Sequence, residues 1–438
     1  MIKARRVLIS FALGLGLALA LLGLLDGWPA PTRAVRAAAA QSGPVWISET
    51  VDSAGDVGGH TSLALEPTAP YTPHISYYDD TNDALKHAYW DASGWHSETV
   101  DRTGNVGLYT SLTLEPNPPY TPHISYYDST KHALKYAYWD ASASEWISET
   151  VDSVEDVGKH TSLALAPTAP YTPHISYHDQ GDGTLKHAYR DGSDWISRKV
   201  DSTGNVVGEY TSLTLEPTAP YTPHISYYKF TNNDLKHAYW DASASEWISE
   251  TVDSAGVVGK HTSLALEPTA PYTPHISYDD DTNDALKHAY WDASASEWIS
   301  ETVDRTGHVG EHTSLALAPT PPYTPHISYY DNTNNDLKHA YWDASASEWI
   351  SETVDSAGDV GRHTSLALEP TAPYTPHISY YDDTNYDLKH ATWGAAQQPP
   401  EPVGGITLPG AGVQAVVSFV VVGLALFGAA WYARRRAW

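Results

Sequence analysis

One unit is written seven times along this chain. The motif PHISY begins at Pro73, Pro122, Pro173, Pro223, Pro274, Pro325 and Pro376, in steps of 49, 51, 50, 51, 51 and 51 residues. A fixed period of this size marks a repeat architecture, in which each unit is too small to bury its own apolar face and neighbours complete it. That constraint outranks any local motif. It replaces the two or three domains that 438 residues would otherwise suggest with one closed domain.

Each unit holds four short segments rich in β-branched and aromatic residues. In the first unit these are His60–Glu66, Pro73–Tyr78, Leu85–Trp90 and Trp95–Asp101. The connectors are runs of Pro, Gly, Asp, Asn and Ser, which are turn residues, and no segment has helical spacing. Four antiparallel strands per unit form a propeller blade, and seven blades close a ring. The predicted fold class is all-β, a seven-bladed β-propeller over residues 46–393. The count holds a further clue. Trp46–Asp52 matches the fourth segment but precedes the first complete unit, and the last unit stops at Trp393 after three segments. The N-terminal strand therefore supplies the missing outer strand of the last blade, and closure removes two open sheet edges.

Charge and the chain ends bound the function. Residues 44–398 hold 51 of the 53 acidic and 17 of the 25 basic residues, a formal charge of −34. Such a surface repels nucleic-acid phosphates. Cysteine is absent, which excludes disulfides, thiol nucleophiles and thiolate metal sites. Lys3, Arg5 and Arg6, the apolar run Val7–Leu25 and the small residues Ala37–Ala40 follow the order of a secretory signal, read as residues 1–40. Residues 394–412 read as a Pro/Gly-rich linker. Residues 413–432 form an apolar run long enough to span a bilayer, and the tail 433–438 carries Arg434, Arg435 and Arg436. The positive-inside rule keeps that tail cytoplasmic and the repeats extracellular, anchored to the cell envelope.

Resemblances to known families sharpen these expectations. The pattern SLAL…PHISYYD…LKHAYWD…W resembles seven-bladed propellers of the sialidase-like, Asp-box type. That family's box falls at the turn equivalent to Trp139–Trp146, which here lacks its central glycine. The segment LKHAYWDASGW is similar to the repeats of lectin propellers. The tail resembles a bacterial surface-sorting signal. Leu408-Pro409-Gly410-Ala411-Gly412 stands where an LPxTG pentapeptide would, with Ala411 in place of Thr, and Pro400-Glu401-Pro402 is similar to a PEP-type tail.

Several residue sets carry chemistry. His60, Tyr109, His160, Tyr210, His261, His312 and His363 recur at the start of the inner segment and are expected to line the mouth of the axial channel as ligand-binding groups. The two tyrosines are poor metal ligands, so no metal is assigned to this ring. The histidines of PHISY and of LKH recur in nearly every unit and are expected to pack and hydrogen-bond. Asp79, Asp80 and their counterparts offer oxygen donors of the kind calcium takes, without a spaced calcium-loop pattern. Arg190, Arg198, Lys199 and Lys229 interrupt the acidic pattern and are expected to form one basic patch for an anionic sugar or carboxylate. Tyr77, Tyr89, Trp90 and Trp95 are aromatics that either stack on sugars or fill the blade core. No catalytic residue is assigned. Arg102, Arg190, Arg198, Arg305 and Arg362 are the only arginines of the repeats, and they are scattered, unlike a sialidase cluster.

The resulting reading is a monomeric, surface-anchored binding or adhesion module for glycan or protein ligands, without a cofactor. The alternatives are an extracellular polysaccharide-acting enzyme, hydrolase or lyase, and a passive surface-layer domain.

Overall fold

A computed structural model describes residues 45–394, except 205. The signal segment, the linker from 395, the apolar span and the basic tail lie outside the described residues. Twenty-eight strands, numbered in chain order, form seven four-stranded antiparallel sheets, and no described residue is helical. Blade 1 contains β2 (Val57–Leu65), β3 (Pro73–Asp79), β4 (Ala84–Asp91) and β5 (Gly94–Asp101), ordered from the axis outward. Blades 2 to 6 repeat this order. Blade 7 is made of β26 (Val360–Leu368), β27 (Pro376–Asp382), β28 (Asp387–Gly394) and β1 (Val45–Asp52), with β1 outermost. The N-terminal strand thus closes the ring, its register running from Val45 opposite Gly394 to Asp52 opposite Leu388.

Burial explains why these residues make these strands. The second strand, PHISYYD, is buried along its whole length in blade 1, because neighbouring sheets cover both of its faces. The outer strand alternates half-buried and exposed positions until its final buried Asp. Each core is shared between blades: Leu388 of blade 7 packs with Val57, Leu63, Ile75, Tyr77 and Ala88 of blade 1. Blades approach so closely that only glycine fits at one point. Gly58 has φ 106°, and a Cβ there would lie 2.8 Å from the Leu388 Cα.

Polar clamps cross the same seams. Asp52, at the end of the blade 7 outer strand, accepts a 2.6 Å bond from the Tyr77 hydroxyl of blade 1 and pairs with Lys86. Burial raises the Asp52 carboxyl, but the bonds from Lys86 and Tyr77 win and hold it below the usual range. Asp101 with Tyr126 and Lys135, and Asp304 with Tyr329 and Lys338, repeat the clamp at other seams. Blade 4 departs from it: Asp201 keeps Tyr227, while Lys236 turns to Thr251.

The inner strand begins three residues earlier than the sequence implied, at Val57 rather than His60. The reason is a bulge. The β2–β3 register shifts between Gly59 and Ser62, and His60 sits there at φ 54°. The same positive φ recurs at Tyr109, His160, Tyr210, His261, His312 and His363.

Candidate functional site

That bulge brings the first set of candidate residues together. Around the axis, the rings of His60, Tyr109, His160, Tyr210, His261, His312 and His363 follow one another with centroids 4.4–4.7 Å apart, and His363 meets His60 again. They and the adjacent threonines, Thr61 among them, line an axial cavity of about 180 Å³. Burial pushes His60 down to about 4, and burial with neighbouring histidines pushes His160 and His261 down to about 3. The ring is uncharged at neutral pH. Its members pack at a tilt, one against the next, around the axis.

The second and third histidine sets hydrogen-bond, as their recurrence implied. In blade 4, His224 Nδ1 lies 3.1 Å from His237 Nε2, and His237 Nδ1 lies 2.9 Å from Glu250 Oε1. Glu216 Oε1 stands 3.5 Å from His224 Nε2 at the other end. Two half-buried carboxylates therefore bracket a buried imidazole pair. Tyr239 stacks on both imidazoles at 5.8 and 5.9 Å, and Trp298 of blade 5 meets His237 edge-on at 5.3 Å. Burial pushes His237 down to about 4, against the opposing pull of Glu250. The His224 imidazole beside it holds Glu216 below the usual carboxylate range, so it is an anion at neutral pH.

This row opens into a cleft between blades, at the end of the sheet that holds the inner-to-second and third-to-outer turns. The cleft between blades 4 and 5 has a volume of about 580 Å³ and is lined by Glu216, Glu250, Tyr239, Trp240, Asp241 and Trp291, among others. Its neighbour between blades 5 and 6 repeats it at about 620 Å³, with Glu267, Glu301, Tyr290 and Trp342. Half-buried indoles, ionised carboxylates and neutral imidazoles can together stack on an apolar ring face and accept hydrogen bonds from hydroxyl groups.

The arginines fall differently from the expected single patch. Arg190 is held by Glu149 at 2.7 Å, and Lys199 by Asp182 at 2.8 Å. Lys229 is buried and donates to Thr203, at the opposite end of the sheet. Arg198 alone enters a cleft, between blades 3 and 4, where its guanidinium lies over Tyr189 at 5.6 Å and Trp240 at 5.7 Å. It occupies the place of the carboxylate in other blades, as its pairing opposite His187 shows. This cleft is smaller, about 200 Å³.

Other expectations resolve locally. Tyr77 is fully buried core, committed to the Asp52 clamp, and cannot meet a ligand. Trp90 is 40 % exposed, whereas Trp95 packs on His390 and on the blade 1 core. Asp79 accepts from the Asn82 backbone N–H at 2.9 Å and from its side-chain amide, so both its oxygens cap the turn. The third-to-outer turn is organised by Asp140, which accepts from Ser142 N–H and Oγ. Sequence reasoning passed over the cleft carboxylates Glu216 and Glu250. The signal was present in strand pairing, since Glu250 lies directly across from His237.

The fold and these repeated clefts define a seven-bladed propeller with inter-blade sites. No family model and no curated protein matches the chain. Solved structures do. An arginine-to-alanine triple variant of AofleA from Arthrobotrys oligospora is 12 % identical, with TM-score 0.50, covering 72 % of this chain and 91 % of that one. The SapL1 lectin in complex with alpha methyl fucoside is 15 % identical, with TM-score 0.44 and coverage of 67 % and 95 %. A Hadza microbial sialidase is 13 % identical, with TM-score 0.42 and coverage of 79 % and 68 %. At these identities the likeness is one of fold.

Proposed function

We propose that the protein is a multivalent carbohydrate-binding propeller that takes sugar rings in the clefts between its blades. The reading rests on one observation: the cleft of Trp240, Trp291, Tyr239, Glu216 and Glu250 recurs between blades 5 and 6 with the same residue types. Cavities of this size suit one or two sugar units. The role is adhesive rather than catalytic, because equivalent clefts favour several modest contacts that add by avidity. The proposal includes display at the cell envelope, with the apolar run 413–432 as anchor and the repeats outside.

A glycan array probed with the full-length chain tests this. Binding is expected, and calorimetry with the best free sugar is expected to give more than one site per chain. An array without a hit, or a single site per chain, would reject the reading. Arg198 makes a sharper test. Its guanidinium favours carboxylated sugars at the blade 3–4 cleft. Arg198→Glu restores the carboxylate of the other blades and is expected to abolish binding of acidic sugars while leaving neutral-sugar binding within about twofold. Retention of acidic-sugar binding by this variant would show that Arg198 does not read charge.

A further inference from the structure

Blade 5 lacks a contact that four other seams keep. The second tyrosine of PHISYY reaches across to the first turn of the next blade: Tyr127 to Asp156 at 2.6 Å, Tyr330 to Asp359 at 2.8 Å, Tyr381 to Asp56 at 2.8 Å and Tyr78 to Asn105 at 3.2 Å. In blade 3 the position is His178, bonded to the Val207 carbonyl, and in blade 4 Tyr228 bonds Asn233 of its own blade. In blade 5 the tyrosine position is Asp279, and its partner position in blade 6 is His308. Both members of one contact have changed together. A carboxylate and an imidazole replace a phenol and its acceptor.

What remains is unsatisfied. Asp279 is 2 % exposed, and its Oδ1 has no hydrogen-bond partner. His308 Nε2 is likewise buried without a hydrogen-bond partner, with the Glu311 carboxylate 3.6 Å away. A buried unpaired carboxylate costs several kcal/mol unless it meets a cation or a proton. Among the described residues, Asp279, Asp281 and His308 are the one group of three or more His, Asp or Glu side chains whose donor atoms all lie within 4.8 Å of one another.

We infer that Asp279, Asp281 and His308 form a single divalent-metal site at the seam of blades 5 and 6, of the kind that Mn²⁺ or Zn²⁺ takes. Two carboxylates and an imidazole are a mixed oxygen–nitrogen set, which such ions accept and which calcium, an all-oxygen ion, does not prefer. Bonds of about 2.1 Å bring the donors to roughly 3 Å from each other, a side-chain adjustment of an ångström or so. Asn332 Nδ2 lies 3.3 Å from His308 Nδ1 and 3.5 Å from Glu311 Oε1; with its amide turned over it gives up the long bond to Glu311, and its oxygen accepts from Nδ1–H and leaves Nε2 for the metal. The surrounding charge is favourable. Asp280 and Glu311 add negative potential; Lys287 offsets Asp280 from 3.9 Å, and Lys260 opposes the site directly, paired with Asp281 at 3.0 Å on a partly exposed stem.

The test titrates the full-length chain with MnCl₂ and follows the loss of the free-ion EPR signal. About 0.2 M sodium chloride suppresses diffuse binding to the acidic surface. One Mn²⁺ per chain is expected. Asp279→Tyr and His308→Asn install residues that sibling blades carry, so the ring is expected to fold, and each is expected to weaken binding at least about tenfold. Lys260→Gln removes the competing charge and is expected to tighten it. Asp80→Asn, at the blade 1 equivalent of Asp281, is the control and leaves binding unchanged. No stoichiometric uptake, or uptake that survives both Asp279→Tyr and His308→Asn, would overturn the site.

Discussion

Deleting Val45–Asp52 is expected to lower the melting temperature by roughly 10 °C and to make the protein self-associate. The deletion removes more than eight residues of sheet. Lys86 and Tyr77 lose the Asp52 carboxylate, and breaking a buried pair from one side costs about 3–5 kcal/mol. His390 loses Glu49, and His339 loses the edge of Trp46. The third strand of blade 7 becomes an open edge, which pairs readily with another chain. Scanning calorimetry and size-exclusion chromatography measure both effects. A truncated chain that melts with the intact one and stays monomeric would show that β1 is dispensable.

The second large effect is acid unfolding. Burial depresses the histidines of the axial ring and of the clefts together: His60, His87 and His237 to about 4, and His160, His261 and His326 to about 3. Each binds its proton near 6.5 once the chain unfolds. Between these values the unfolded state holds more protons, so stability is complete above about pH 6.5 and falls as pH drops toward 4. One pKa unit is worth about 1.4 kcal/mol, and a few such histidines together exceed the 5–15 kcal/mol that holds a typical domain. Relief of carboxylate repulsion runs the other way but is screened by salt. Cooperative unfolding with a midpoint near pH 5 is therefore expected in about 0.15 M salt, followed by circular dichroism. Replacing His60, His160, His261, His312 and His363 by tyrosine copies Tyr109 and Tyr210 and should move the midpoint to lower pH. A melting temperature that stays flat from pH 7 to 5 would contradict this account.

Much of the ring was legible in the chain because repetition exposes it. The orphan segment at Trp46 and the truncated last unit together announced the closing strand, and the recurring His60-type position announced an axial ring. What the chain hid were relations across seams and along strands. The bulge at His60 depends on a positive φ that no residue type demands, so the inner strand began earlier than its apolar pattern. Arg198 and Lys229 looked like neighbours in a basic patch, yet they stand on different blades, and Lys229 closes its strand at the end away from the clefts. The cleft joins Trp240 of one blade to Trp291 of the next, a partnership that separate readings of each unit miss. Asp279 and His308 look like ordinary drift until the Tyr127–Asp156 contact shows what they replace.

Val45 lies opposite Gly394, so both ends of the described chain leave side by side, beside the same turns that frame the clefts. A short tether on either end will therefore turn the clefts toward whatever holds it, and will crowd Trp46 and Trp393 first. An affinity tag captured on a chip would hide the face it is meant to present. A handle placed in the turn Asp80–Asp83 would hold the ring from behind and leave that face open to solution.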